Sequence, residues 1–573
     1  MGCDGGKGIE VIDQNYNIKQ TTSKKDTEKL IKKKKEKNQS IGINIGSLNT
    51  VYSIFSNMTG KYITNVLLLN NTIRTIKSLI CYTPENRLYG ENAKAYLKKN
   101  LSTSYNNLSR IIGFRSSELN KTELEYMFSK NFKYNWFIDN KKKEVKDESY
   151  YIIADYLSLI NEYYFEKENI EYDSVSISVP DFYEEKQKEN IKLICEVLKM
   201  KNIKIFNESA AITMYYGYNK YNDLFGNNNQ INRKLKKTVL FIDIGQSKTS
   251  FILSDFTYNE FCIKHKSWIK DIGGRNFEQI LFEYCIKNSE FKDITLTENM
   301  KYRLFETIQK KKLELTSNNE TNIIVYSFYN DLDLSITITT EQYEKESKKL
   351  IDEIKKELVK VIEYAKKINI NIDYVEIAGE FMRTPFLQKM IEENNLKISK
   401  TILIDECTSV GAALLGSYLD EYFPIEIIIY EKEGNNKKKI TPFKSGNNNM
   451  ELKKNLEEHL KKMKEKDEIF NKGMELKNII QKYLNILKKI PKNDKHNNDL
   501  NTISNDFEKI KDLSTIDNKK IYETMEEKLK NLSIKIIDEL IKNNNNKKTE
   551  LEKVKQSKKL HEHLEDIIEI LEL

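Results

Sequence analysis

Ile43-Asn44-Ile45-Gly46-Ser47-Leu48-Asn49-Thr50 and Ile242-Asp243-Ile244-Gly245-Gln246-Ser247-Lys248-Thr249 share one layout. Each is an apolar run that ends in a polar residue, an aliphatic residue and a glycine, then passes into small or hydroxyl residues. Such a run reads as a buried strand closed by a tight turn. Glycine lets the backbone turn there, so that successive N–H groups point at an anion, and hydroxyls in the turn add ligands for phosphate oxygens. A single loop of this kind carries little weight, because strand–glycine turns are common. Two of them, far apart and each opening an α/β half, indicate paired phosphate loops that grip a triphosphate across a cleft.

The surrounding texture agrees. Val175 to Pro180 and Tyr374 to Gly379 read as further buried strands, and Tyr151 to Glu166, Glu184 to Met200 and Gln342 to Ala365 as helices. Strands alternating with helices predict an α/β domain whose sheets are covered on both faces. Asn-rich stretches at 140–147 and 226–232 read as surface loops. Residues 1–38 are polar and Lys-rich, and are expected to form a disordered basic arm. The nucleotide-binding domain is expected over 39–423, a short linker over 424–449, and a helical region over 450–573. There Leu452, Leu456, Leu460 and Met463 share a face, as do Met525, Leu529, Leu532, Ile536 and Leu540, and Leu560, Leu564, Ile567 and Leu571. Two polar stretches, 492–501 and 543–548, are expected to separate the helices of a bundle.

Composition excludes several functions. The 94 Lys and Arg nearly balance 86 Asp and Glu, leaving a formal charge of only +8 on 573 residues. Nucleic-acid binding wants basic residues gathered on one face among stacking aromatics, and none is expected. Six dispersed cysteines and five histidines form no zinc or disulfide pattern, which reads as reduced thiols in a cytoplasmic protein. No apolar run is long enough to span a bilayer. Gly2 and Cys3 would permit acylation beside the Lys32–Lys35 patch, and a membrane role would follow only from that. Gly6 stands where the acylation signal wants Ser or Thr, so the disordered arm is preferred.

Further motifs follow in order: Tyr89-Gly90-Glu91-Asn92-Ala93-Lys94, Ser178-Val179-Pro180-Asp181-Phe182-Tyr183, Ile205-Phe206-Asn207-Glu208-Ser209-Ala210-Ala211, Gly273-Gly274-Arg275-Asn276-Phe277, Gly379-Glu380-Phe381-Met382-Arg383-Thr384-Pro385, and Asp405-Glu406 with Gly411-Ala412-Ala413. Together with the two loops, this series resembles the 70-kDa heat-shock protein superfamily over Ile41 to Phe423. Asp243-Ile244-Gly245-Gln246-Ser247 and Asn330-Asp331-Leu332-Asp333-Leu334-Ser335 are most similar to its 110-kDa branch. The resemblance implies a two-lobed actin-like (ribonuclease H-like) ATPase domain, α/β in class, followed by a mostly helical C-terminal region similar to a lid.

It also implies a site for ATP or ADP with Mg²⁺. Lys94, Glu208 and Asp243 match the family's catalytic positions, with Asp243 toward the metal. Asn44 and Ser250 replace two loop aspartates, and Lys248 replaces a threonine. Gly46, Ser47, Leu48, Gly245, Gln246, Ser247 and Lys248 match the phosphate loops. Gly273, Gly274, Lys311 or Lys312, Gly379, Arg383 and Asp405 match further nucleotide contacts. Pro180 and Lys188 match positions that couple the nucleotide to a second domain, where lysine lacks the forked geometry of the family's arginine. Two orientations of Lys248 stay open. Inward, its ammonium would partly replace the metal; outward, it would simply meet solvent, and the outward one is preferred. An amide brings no charge to Mg²⁺, so turnover is expected to be slow or absent, a weak ATPase at most.

The superfamily's β-sandwich substrate domain needs on the order of a hundred residues, and 424–449 holds one or two strands. The resemblance therefore implies an ATP-binding co-chaperone that exchanges the nucleotide of a 70-kDa partner. Alternatives are an ATP-hydrolysing chaperone for unfolded clients and a nucleotide-stabilised scaffold like the ribosome-associated relatives.

Overall fold

The computed structural model describes residues 37–571, apart from 59–60, 98–100, 120–125, 128–134, 139–140, 145–147, 227–231, 421–422, 435, 447–448, 512–517 and 558. The acylation motif at Gly2 and Cys3, the Lys32–Lys35 patch and most of the two Asn-rich loops lie outside the described residues. Two compact units are formed. One comprises residues up to Cys81 with Tyr89–Tyr134 and Val145–Leu456, and the other Tyr82–Leu88, Asn135–Glu144 and Glu457–Leu573.

The first unit is built on two large sheets. In chain order its first half contains β1 (Lys37–Ile45), β2 (Asn49–Met58), β3 (Lys61–Val66), α1 (Gly90–Tyr96), β4 (Ser174–Val179), α2 (Glu185–Val197), β5 (Ile203–Asn207) and α3 (Glu208–Asn219). Its second half contains β6 (Lys236–Ile244), β7 (Thr249–Thr257), β8 (Glu260–Ile269), α4 (Gly274–Lys287), α5 (Glu298–Glu314), α6 (Lys348–Lys367), β9 (Tyr374–Ala378), β10 (Ile398–Ser399), α7 (Cys407–Leu419), β11 (Ile428–Glu433) and β12 (Asn436–Lys439). The sheet orders are β5-β4-β1-β2-β3 and β10-β9-β6-β7-β8-β11-β12. In each, the strand that carries a phosphate loop pairs antiparallel with its successor and parallel with a later strand. The echo seen in the sequence is thus a duplicated topology.

Burial on both faces explains the strand composition. Leu240, Ile242 and Ile244 of β6 pack in one core with Phe277, Leu281 and Ile308, while Val239 and Phe241 pack in another with Met214, Tyr216 and Leu414. In β4 all six residues of Ser174–Val179 are buried, serines included. The small side chains let α7 close on the sheet: a Cβ on Gly416 would lie 2.3 Å from the hydroxyls of both Ser40 and Ser176.

Two expectations are corrected. The segment after 423 is more than a short linker, because β11 pairs parallel with β8 and β12 completes the second sheet. Phe443 N–H then donates to the Ile205 carbonyl on β5 (2.9 Å), so 424–449 belongs to the first unit. The polar stretch 492–501 is largely helical. Helices α8 (Met450–Leu487), α9 (Asp494–Ile510), α10 (Lys519–Asn543), α11 (Lys548–Lys555) and α12 (Leu560–Leu571) follow one another. The side chain of Asn493 accepts from His496 N–H (2.8 Å) and starts α9 as an N-cap, so its polarity marks a helix start. As expected, Leu529, Leu532, Ile536, Leu560, Leu564 and Ile567 form one buried bundle core.

Candidate functional site

The loops close β1 and β6 alike. Gly46 N–H donates to Asn49 O (2.9 Å) and Gly245 N–H to Lys248 O (3.1 Å). They meet across the cleft, with the Ser47 and Ser247 hydroxyls 2.6 Å apart and Ser47 also 2.7 Å from the Ser109 hydroxyl. Together with Asn44, Leu48, Gln246, Pro180, Glu208 and Asp243 they line a pocket of about 930 Å³, open mouth included.

Close backbone approach sets the second loop. A Cβ on Gly273 would lie 2.6 Å from Lys248 N, and Gly379, at φ +79°, brings its backbone against the Ile244 carbonyl, 2.4 Å from where a Cβ would stand. The first turn of α4 holds the loop through Gly274 N–H to Gly245 O (2.9 Å) and Arg275 N–H to Gln246 O (2.8 Å).

Lys248 corrects the solvent-facing expectation. Its ammonium lies 2.7 Å from Glu208 Oε2 and 2.9 Å from Asp243 Oδ2, and donates to Ser250 Oγ at 3.3 Å. The three charged side chains are only 12%, 10% and 14% exposed. Register places Ser250 opposite Asp243 on neighbouring strands. The lysine stem therefore needs only to fold back over β6 to reach two buried carboxylates that would otherwise repel. Burial alone would lower the Lys248 pKa, but Asp243 and Glu208 together hold it well above its ordinary value. Burial raises the Glu208 carboxyl; Lys248 opposes that rise and Asp243 adds to it. Asn44 completes the cluster by donating from Nδ2 to Glu208 Oε1 (3.2 Å) and to Ser178 Oγ (3.1 Å).

This set does not fit a magnesium ion. Mg²⁺ requires a near-octahedral shell of oxygens, yet both carboxylates hold an ammonium and Asn44 turns N–H groups inward. The expected approach of Mg²⁺ through Asp243 is therefore not what the geometry offers. Lys94, on α1, sits with Ser47 and Leu48 along an adjoining part of the cleft rather than in the pocket of Glu208 and Asp243.

Of the two candidate lysines on α5, Lys312 faces the site and Lys311 pairs with Glu314 on its own helix (2.8 Å). Lys312 donates to buried Glu278 (2.6 Å) and lies 5.0 Å from the Phe381 ring centroid. Gln246 Nε2 also donates to Glu278 (2.8 Å). The sequence reading missed Glu278 and Phe381, because each matters through a partner on a distant element. Arg383 and Asp405 pair at 3.3 Å, both partly exposed. Burial raises the Asp405 carboxyl and Arg383 opposes this. Pro180 lines the pocket, whereas Lys188 stands apart from it, 5.9 Å from the Phe443 ring centroid.

Five cysteines, at 81, 195, 262, 285 and 407, are free and buried, as expected. No helix among the described residues is long and apolar enough to cross a membrane.

Comparison with known proteins agrees with this architecture. Heat shock protein hsp88 of Neurospora crassa is 25% identical over 398 residues, covering 67% of this chain and 54% of that protein. A heat shock protein homolog of Saccharomyces cerevisiae is 26% identical over 405 residues, covering 65% and 54%. Chaperone protein dnaK of Thalassiosira pseudonana is 24% identical over 397 residues, covering 67% and 62%. The chain spans about half the length of the first two. The profile of the family described as Hsp70 protein matches residues 40–427, well over half of the 573 residues, and the chain belongs to that family.

Proposed function

We propose that this chain is an ATP-binding co-chaperone of the 110-kDa type, which holds nucleotide between its two loops without turning it over and exchanges the nucleotide of a 70-kDa partner in the cytosol. The observation that carries the reading is the Lys248 ammonium between Glu208 and Asp243. Phosphoryl transfer rests on positioned charge, and the carboxylates that would arrange a metal and an attacking water are committed to a lysine. The loop backbone that would hold phosphates is kept. The segment 424–449 extends the nucleotide-binding sheet, which leaves no room there for a β-sandwich peptide groove.

The test follows release of a fluorescent ADP from a 70-kDa family member. Adding this chain is expected to speed release by at least about tenfold, a barrier change of roughly 1.4 kcal/mol. A release rate that does not change with added chain contradicts the exchange function.

A further inference from the structure

We propose that the nucleotide site is magnesium-independent, with the Lys248 ammonium built in as its cation and ATP or ADP bound as the free anion. The inference rests on the nucleotide-binding reading above and deepens it.

Three observations converge. Lys248 arises from the second loop itself, and its carbonyl accepts from Gly245 N–H (3.1 Å) to close the turn, so its stem starts on the loop that would hold phosphate. Its ammonium is fixed by two carboxylates and a hydroxyl, all within 3.3 Å. A lysine held in this way acts on phosphate as a point charge, without the hydration shell that a divalent ion must keep. Finally, two of the carboxylates that would call for a metal are replaced, by Asn44 and Ser250, and the two that remain, Glu208 and Asp243, are committed to Lys248. Asn44 donates to Glu208 where a carboxylate would repel it, and Ser250 accepts from Lys248. A divalent ion added beside Lys248 would meet an ammonium before it met a free carboxylate.

The test is calorimetric titration of the full chain with ADP and with ATP, in magnesium and again in EDTA. Expected are dissociation constants that agree within about threefold between the two conditions. In Lys248→Met, affinity in EDTA is expected to fall by about tenfold or more, with part of the loss recovered in magnesium once the carboxylates are released. The wild-type comparison stands even if that variant does not fold. Binding in magnesium alone overturns magnesium independence and leaves nucleotide binding in place. Binding in neither condition overturns the nucleotide reading and this inference with it.

Discussion

Lys248→Met is expected to destabilise the nucleotide-binding unit by about 3–5 kcal/mol, the usual cost of removing one partner from a buried ion pair. Methionine keeps the length and apolar body of the stem, so the change is one of charge. Glu208 and Asp243 then face each other with little solvent, and Asn44 relieves only one Glu208 oxygen. Magnesium is expected to restore part of the stability, since the freed carboxylates then need a cation. Glu208→Gln in the Lys248→Met background should do the same without metal, by removing the repulsion. Urea denaturation of the full chain, with and without magnesium, reads all of these. A Lys248→Met midpoint equal to that of wild type in both conditions contradicts the buried cluster.

Gly411→Ala is expected to be nearly as damaging, at about 3 kcal/mol, the upper end of ordinary overpacking. Its Cβ would lie 1.9 Å from the Ala211 carbonyl oxygen and 2.5 Å from the carbonyl carbon, so the obstacle is backbone of α3 and not a side chain that could rotate. The helix α7 must then lift from α3 and from β1, where Gly42 makes the matching approach to Ser409 and Ala413. Gly446→Ala, with nothing within 4 Å of the new Cβ, is the control and should stay within about 0.5 kcal/mol of wild type. Equal midpoints for the two variants would show that α7 does not pack as described.

These two sites also show what the sequence made legible. The loops and the strands they close were readable because each is a local pattern with a local cause, whereas Gly411-Ala412-Ala413 was legible only through the family resemblance. A glycine after an aliphatic strand turns the chain whatever lies beyond. The direction of Lys248 was not legible in that way. A lone lysine favours solvent by default, and the choice was reversed by Glu208, which stands on another element. The start of α9 failed for a related reason, since Asn493 and its polar neighbours look like a loop until one asparagine is seen to cap a helix. Likewise, the one or two strands expected within 424–449 are present, the first starting at Ile428, but no local feature told that β8 was its partner.

A cleft arranged in this way is expected to hold ATP without processing it. Single-turnover measurement on the purified chain, with ATP at a concentration below that of protein, tests this directly. Bound ATP is expected to be recovered intact long after a hydrolysing family member has converted its own. Formation of ADP that disappears in Asp243→Asn would contradict this, because it would show Asp243 serving catalysis while salt-bridged to Lys248.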